Sequence, residues 1–288
     1  MKASKPEWLR KRVVTGRVYR NVLDLLKKSG LHTVCQEAHC PNLGECFAQG
    51  TSTFMILGDR CTRGCTFCAV RQDVPLPLDG EEPEKVAEAV RELGLRYAVI
   101  TSVTRDDLAD GGASHFAKTV RSVKRRNPGT LVEVLIPDFM GSRRALEEVV
   151  GAGPEVINHN METVPRLYPS VRPGAVYRRS LNLLRRVKEM DQRVVTKSGL
   201  MLGLGEGIGE IGGVFQDLRR AGCDLLTLGQ YLAPSSVHRP VARFVPPDEF
   251  DRLKEKALGI GFKAVASGPF VRSSYHAGEM IKGLVERD

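Results

Sequence analysis

Apolar residues recur along this chain in two alternating patterns, short apolar runs and longer amphipathic segments. The segment Glu84–Leu93 shows the second pattern, because Val86, Ala89 and Val90 fall on one face of a helix together with its last residue. Apolar runs of four to eight residues bounded by turn residues are typical of buried strands. The pattern therefore predicts a series of strands and helices.

The predicted strands and helices alternate over most of the chain. The strands are expected at Thr53–Leu57, Tyr97–Val103, Leu131–Ile136, Val156–Asn158, Val194–Met201, Leu225–Leu228 and Phe262–Ala266. The helices are expected at Tyr19–Lys28, Glu84–Leu93, His115–Arg126, Ser142–Val150, Arg178–Met190, Ile208–Ala221 and Asp248–Leu258. Such alternation indicates right-handed βαβ units around a parallel sheet, and about six units are too few to close an eight-stranded barrel. We expect an α/β fold with a partial barrel.

Composition is that of an ordinary globular protein. The chain has 288 residues, of which 42% are hydrophobic and 27% charged. No apolar run approaches the roughly 20 residues that a membrane span needs, and the basic N-terminus lacks the apolar stretch of a secretory signal. We therefore expect no membrane partner.

The net charge of +9 favours an acidic partner. Aromatic residues make up only 6% of the chain, and no interleaving of arginine with aromatic residues suggests base stacking. We therefore expect no nucleic acid as partner; an acidic protein partner fits the charge better, although the charge alone does not identify one.

Seven cysteines are present, and six of them form two tight triplets. An odd number in a chain of this length favours a reducing compartment, so the expected location is cytoplasmic. Cys223 stands alone in an apolar setting, which is typical of a packing residue.

The strongest motif is the C-x3-C-x2-C run of Cys61, Cys65 and Cys68. Three thiolates can take three corners of an iron-sulfur cluster, and the iron without a cysteine is then open to a substrate or cofactor. Phe67 helps to keep water from such a site. A zinc site, which would lack its fourth ligand, and a disulfide pair are the alternatives.

This spacing resembles the cluster motif of the radical S-adenosylmethionine (SAM) enzymes. The resemblance implies a 4Fe-4S cluster, bound by Cys61, Cys65 and Cys68, whose open iron binds SAM. It also implies that reductive cleavage of SAM gives a 5′-deoxyadenosyl radical, and that the fold is a (βα)6-type partial TIM barrel.

The second triplet, Cys35, Cys40 and Cys46 with the spacing C-x4-C-x5-C, narrows the resemblance. The stretches 33–42 and 44–46 resemble the auxiliary-cluster segment of the lipoyl synthase family. Gln36 stands where that family has Glu, and Ser52 where it usually has Ala. The resemblance implies a second 4Fe-4S cluster at these cysteines.

The C-terminal segment 271–277 resembles the R-S-S-Y segment of the same family, where a serine oxygen is the fourth ligand of the auxiliary cluster. By position this ligand is Ser274, with Ser273 as the less favoured choice. A serine oxygen is a harder ligand than thiolate and a poorer one for iron, so it can be displaced.

The loops after the strands of such a barrel carry its chemistry. From the polar loops that resemble their counterparts in the family, we expect SAM to contact Ser102, Arg105, Asn160, Lys197, Glu206 and Gln230. Lys197 or Arg105 would pair with its carboxylate, Glu206 with its ribose hydroxyls or ammonium, and Asn160 with its ribose.

A G-x-G-x-x-G sequence at residues 207–212 also matches a dinucleotide-binding fingerprint. That fingerprint belongs in the first βαβ unit with an acidic residue about 20 positions later. Here it lies in the fifth unit, and Asp217 and Asp224 come too early. We expect these glycines to let the backbone approach SAM.

The resemblance implies insertion of two sulfur atoms, at carbons 6 and 8, into an octanoyl group on a lysine of a lipoyl carrier domain, with the auxiliary cluster as sulfur donor. The carrier would be an acyltransferase subunit of a 2-oxoacid dehydrogenase complex or the glycine cleavage H protein, and the electron donor ferredoxin or flavodoxin. The alternatives are another sulfur-inserting radical SAM enzyme and a two-cluster electron-transfer protein. We expect an N-terminal cluster-binding extension over residues 1–50, the barrel over 51–268 and a C-terminal segment over 269–288.

Overall fold

The chain folds around one open sheet. The computed structural model describes residues 5–11 and 14–284. In chain order the strands are β1 (His32–Thr33), β2 (Thr53–Ile56), β3 (Arg60–Cys61), β4 (Arg71–Gln72), β5 (Tyr97–Ser102), β6 (Leu131–Leu135), β7 (Val156–Asn158), β8 (Val195–Leu202), β9 (Leu225–Gln230) and β10 (Ala264–Gly268).

Eight strands form the main sheet in the order β1-β2-β5-β6-β7-β8-β9-β10, and β3 pairs with β4 apart from it. Every neighbouring pair from β2 to β10 is parallel, whereas β1 runs antiparallel to β2. In the part of the chain that the structure describes, β10 does not pair with β1, so the barrel stays open. The predicted α/β partial barrel is confirmed.

Helices follow most of the strands along the chain. They are α1 (Arg17–Ser29), α2 (Val34–Glu37), α3 (Leu43–Ala48), α4 (Glu82–Glu92), α5 (Ala113–Arg126), α6 (Arg143–Val150), α7 (Tyr168–Val171), α8 (Tyr177–Met190), α9 (Ile208–Arg220), α10 (Pro247–Ile260) and α11 (Ala277–Met280). The amphipathic pattern is realised: α4, for example, buries Val86, Ala89 and Val90. Among the described helices, none is long and apolar enough to cross a membrane.

The predicted strands and long helices agree with the observed ones within about two residues at each end. The largest shift is in the last strand, which was expected at Phe262–Ala266 and lies at Ala264–Gly268. The short elements β1, α2, α3, α7 and α11 were not predicted, because two to six residues are too few to show a period. The expected division at residues 50 and 268 stays a prediction.

The C-terminal segment packs along the inner face of the sheet. Two strand glycines make room for it: a Cβ on Gly229 would lie 2.1 Å from the carbonyl oxygen of Val271, and one on Gly199 would lie 3.3 Å from Ser273 Oγ. Further along, Ile281 packs against the first residues of β7, β8 and β9. The segment therefore fills the bore of the barrel from its carboxyl end to its amino end.

Candidate functional site

A cavity of about 510 Å³ opens at the carboxyl ends of the parallel strands. Its volume is within the usual range for a site that binds a small molecule or cofactor. The wall includes the predicted ligands Cys35, Cys40, Cys61, Cys65, Cys68 and Ser274. The fold thus brings five of the six cysteines and the serine segment to one cavity, although the serine segment is about 200 residues away in sequence.

The loop that carries Cys61, Cys65 and Cys68 leaves the barrel after β2. The backbone N–H groups of Arg63 and Thr104 lie 3.5 and 3.4 Å from Cys61 Sγ and donate to it. Burial raises the pKa of Cys68 to about 12. Since metal ligation requires thiolates, these thiols must release their protons when a metal binds.

Arg63 anchors this loop from within. Its guanidinium donates to Asp106 at 2.5 and 2.9 Å and to Asp138 at 2.7 Å. Burial alone would raise the pKa of Asp138, but hydrogen bonding to Arg63 outweighs it and lowers the pKa to about 2. A Cβ on Gly174 would lie 2.8 Å from Arg63 Cδ, so the arginine packs closely as well. This anchor was not predicted, although Arg63 lies inside the motif itself.

The other triplet is carried by two short helices and the turn between them. Cys35 lies in α2, Cys46 in α3 and Cys40 in the turn, where its N–H donates to the Cys35 carbonyl at 3.0 Å. Burial raises the pKa of Cys35 to about 11 and of Cys46 to about 12, and the neighbouring cysteines add to both shifts. Cys46 lies behind the cavity wall rather than in it.

The serine segment is tied to this triplet. Tyr275 donates its hydroxyl to Glu45, next to Cys46, at 2.8 Å. Asn42 Nδ2 donates to the carbonyl of Phe270 at 2.7 Å. Tyr275 thus connects the segment that carries Ser274 to the helix that carries Cys46.

The two serines differ in their surroundings. Ser273 Oγ accepts a hydrogen bond of 2.7 Å from Asn160 Nδ2, whereas Ser274 faces the cavity with no side-chain hydrogen bond to any described residue. Both serines line the cavity, and the choice of Ser274 by position stays a prediction.

Three of the six predicted SAM contacts line the cavity: Ser102, Asn160 and Gln230. Ser102 Oγ and Asn160 Oδ1 are buried and have no hydrogen-bond partner among the described residues. Buried polar atoms are normally satisfied, so these two atoms indicate a polar ligand. The amide of Gln230, in contrast, is engaged by the backbone of Leu202 and Val245.

The other three predicted contacts lie outside the cavity wall. Lys197 is fully buried in the barrel, where its ammonium is 3.0 Å from both carboxylate oxygens of Glu133. Arg105 pairs with Asp107 at 2.9 Å, and Glu206 accepts from the N–H groups of residues 203 and 204 at 2.6 and 2.9 Å. Each therefore has an internal partner in this structure.

The cavity wall also contains charged residues that were not predicted, Glu162, Arg172 and Arg272. Glu162 has φ +64°, a strained conformation for a residue other than glycine. Burial raises its pKa, although Arg172 and a 3.0 Å hydrogen bond from Asn160 oppose the shift. Arg272 lies within the R-S-S-Y segment and Glu162 follows the predicted contact Asn160 by two residues, but nothing in the sequence marks Arg172.

Two further sequence predictions can be compared with the structure. The glycines at 207–212 do not line the cavity, and Gly207 instead begins α9, with its N–H donating to Glu210 at 2.8 Å. Cys223 is fully buried, and its thiol lies 3.3 Å from the carbonyl of Leu225. Its surroundings are those of a packing residue.

The donor set fits iron-sulfur clusters. Among residues 5–11 and 14–284, no three His, Cys, Asp or Glu side chains are close enough to hold a single metal ion. The cysteines of each set instead border a cavity, and soft thiolates are the usual ligands of such clusters. Together with the unsatisfied Ser102 and Asn160 atoms, the cavity suits two clusters and a polar cofactor.

Comparison with known proteins agrees with this fit. Residues 55–218 match the family model described as the Radical SAM superfamily. The chain is 58% identical to a lipoyl synthase of Alkaliphilus metalliredigens, over 96% of each chain. It is 59% identical to a lipoyl synthase of Caldanaerobacter subterraneus, over 96% of this chain and 97% of the relative.

A solved structure shows the same fold. Streptococcus suis SuiB bound to S-adenosylmethionine superposes with a TM-score of 0.56 at 10% identity, over 75% of this chain and 51% of SuiB. At this identity the similarity concerns the fold alone.

Proposed function

Since the chain belongs to the lipoyl synthase family of the radical SAM superfamily, we propose how its residues divide the work of the reaction. The enzyme is a sulfurtransferase that uses 4Fe-4S clusters and SAM in lipoate biosynthesis. When bound, these groups supply the electron, the hydrogen-abstracting species and the sulfur atoms that two carbons of an octanoyl group receive. The similarity to lipoyl synthases extends over 96% of this chain. We therefore do not propose the two alternative functions, a two-cluster electron-transfer protein or another sulfur-inserting radical SAM enzyme.

The two cysteine triplets hold the two clusters. Cys61, Cys65 and Cys68 hold the cluster that binds SAM, while Cys35, Cys40 and Cys46 hold the auxiliary cluster with Ser274 as the fourth ligand. The observation that supports this division is that five of the six cysteines, together with Ser274, line one cavity. Because burial raises the pKa of the Cys35, Cys46 and Cys68 thiols, loading with metal is favoured at higher pH.

We assign the SAM contacts to the buried polar atoms that have no hydrogen-bond partner among the described residues. Ser102 Oγ and Asn160 Oδ1 orient the cofactor by hydrogen bonds, with Gln230 as a neighbour in the wall. Lys197 and Glu206 act indirectly, because their charged groups are bound to Glu133 and to the backbone.

The substrate is an octanoylated lipoyl carrier domain. Its acidic surface would suit the net charge of +9. The carrier is either an acyltransferase subunit of a 2-oxoacid dehydrogenase complex or the glycine cleavage H protein, and ferredoxin or flavodoxin donates the electron. We assign the reaction to the cytoplasm, because all seven cysteines are free and need a reducing compartment.

Iron content and product formation test this division. Native protein reconstituted without oxygen should bind about eight iron atoms per chain, as two four-iron clusters require. Cys35→Ala should bind about four, cleave SAM and insert no sulfur. The matched control Cys223→Ala should bind as much iron as the native protein. Retained lipoyl formation in Cys35→Ala would contradict the role of the auxiliary cluster.

A pair of serine variants tests the fourth ligand. Ser274→Ala should change the spectrum of the auxiliary cluster and abolish sulfur insertion, whereas Ser273→Ala removes only a hydrogen bond to Asn160. If Ser273→Ala has the larger effect on the auxiliary spectrum, the two assignments must be exchanged.

A further inference from the structure

The chain enters the loop of Cys61, Cys65 and Cys68 through a strained turn. Leu57, directly after β2, has φ +71°, and Gly58 follows with φ +91°. Glycine adopts this conformation freely, but a left-handed leucine is disfavoured because its Cβ crowds the backbone. Such a residue persists only where its surroundings hold it.

Three contacts hold Leu57. Its N–H donates to Glu82 Oε2 at 2.8 Å, and its carbonyl accepts from Arg105 Nη1 at 3.2 Å. Its side chain fills the space above Gly112, where a Cβ would lie 2.4 Å from Leu57 Cδ1. Both backbone groups of the strained residue are therefore bound by buried charged side chains.

Glu82 is itself held in place. It lies in the first turn of α4 and is 6% exposed, and its Oε2 is 2.7 Å from His115 Nε2 of α5. A buried carboxylate of this kind needs several partners to offset its loss of hydration. The N–H of Leu57 and the ring of His115 supply two.

The same turn is connected to the cysteine loop on its other side. Arg105 belongs to the segment whose Thr104 donates its N–H to Cys61 Sγ and accepts from the Thr62 N–H at 3.0 Å. The segment after β5 thus touches both the start of the turn, at Leu57, and the first cysteine.

We propose that Glu82 is a positioning residue, whose carboxylate fixes the left-handed turn at Leu57 and so sets where Cys61, Cys65 and Cys68 lie relative to the cavity. No sequence motif includes Glu82, and it touches none of these cysteines. The inference rests on the proposed assignment of a cluster to these cysteines.

The test compares two substitutions of Glu82 in the cluster-loaded protein. Glu82→Gln keeps an oxygen that accepts from the Leu57 N–H, so it should behave almost as the native protein. Glu82→Leu removes that acceptor, and amide exchange over residues 57–68 should become about tenfold faster. The change that SAM causes in the electron paramagnetic resonance spectrum of the reduced protein should weaken, and KM for SAM should rise.

Asp224→Leu is the matched control. Asp224 is also a buried carboxylate, 4% exposed, that accepts from a strand N–H, that of Thr196 at 3.0 Å, and pairs with a cation, Lys188. It lies at the opposite end of the barrel. This variant should lose global stability without faster exchange specific to residues 57–68.

If Glu82→Leu fails to fold, the same substitution can be tested in a second variant, Leu57→Gly. In Leu57→Gly the turn needs no carboxylate, so adding Glu82→Leu should increase exchange over residues 57–68 much less than it does with leucine present. An equal increase in both backgrounds, or failure of the double variant to fold as well, would show that Glu82 acts elsewhere. Iron content distinguishes failure of the cluster assignment from failure of the positioning role. Absence of iron in the native protein would refute the cluster assignment, whereas native-like exchange in Glu82→Leu would refute only the positioning role.

Discussion

The contact between Gly229 and the C-terminal segment offers a sharp test of how the auxiliary site is assembled. Gly229 lies in β9 on the inner face of the sheet, and a Cβ there would lie 2.1 Å from the Val271 carbonyl oxygen and 3.1 Å from its carbon. No ordinary contact is this short, so Gly229→Ala must move the backbone of residue 271 by about 1 Å or expel the segment.

The magnitude follows from the cost of overpacking, about 1–3 kcal/mol. If that cost falls on the segment alone, its detached population rises by about 5- to 150-fold. Ser274, three residues beyond the contact, moves with it. We therefore expect Gly229→Ala to lose the auxiliary cluster while it keeps the cluster of Cys61, Cys65 and Cys68.

The assay is amide exchange over residues 269–284 combined with iron content. Gly213→Ala is the control, because Gly213 lies in α9 with no atom within 4 Å of its added Cβ, and it should stabilise the protein by about 0.5–1 kcal/mol. Native exchange and about eight iron atoms per chain in Gly229→Ala would refute the packing of the segment against β9.

Three further predictions concern stability. Ser52→Ala should stabilise the protein by about 1 kcal/mol in urea unfolding, because Ser52 Oγ is buried with no partner among the described residues. Lys197→Met should cost about 3–5 kcal/mol in the same measurement, because it leaves Glu133 charged and unpaired, and unchanged stability would contradict the buried ion pair. Burial lowers the pKa of His159 to about 4 from 6.5, so the folded state favours the neutral ring. The contribution of His159 to the free energy of unfolding is therefore fully present above pH 6.5 and is lost as the pH falls towards 4. Unfolding of the apoprotein at pH 7 and pH 4 should therefore show a loss of about 3 kcal/mol that His159→Gln removes, and an equal loss in that variant would rule out His159 as its source.

The sequence predicts the barrel well because its strands and helices are long enough to show a period. The helix of Val86, Ala89 and Val90 and the strand Val156–Asn158 are found where they were expected. Burial of a regular face determines both, and that information is local. The short helices that carry Cys35 and Cys46 depend on contacts with distant segments, so no local pattern marks them.

The same distinction applies to the site. The cysteines were identified because their spacing alone restricts the chemistry, whereas Lys197 was assigned to SAM from the resemblance of its segment to a family loop and from its charge. In β8, Lys197 and Gly199 point to the same face, but Lys197 lies two residues, or about 7 Å, deeper in the barrel. At that depth its nearest partner is Glu133 of β6, 64 residues away in sequence. Which of two inward positions reaches the cavity depends on where the strand ends, and the sequence did not specify this.

The two cysteine sets differ in what holds them, and this difference bears on the reaction. The loop of Cys61 is held to the barrel by its own Arg63, which pairs with Asp106 and Asp138. The segment of Cys46 is held by the C-terminal segment, through Tyr275 with Glu45 and Asn42 with Phe270. These contacts join residues about 230 positions apart, so we expect the auxiliary site to be complete only when the C-terminal segment has docked. Under the proposed assignment of the auxiliary cluster as sulfur donor, that cluster depends on the C-terminal segment for part of its support. Damage to this region should then uncouple SAM cleavage from sulfur insertion, whereas damage to the anchor at Arg63 should abolish both.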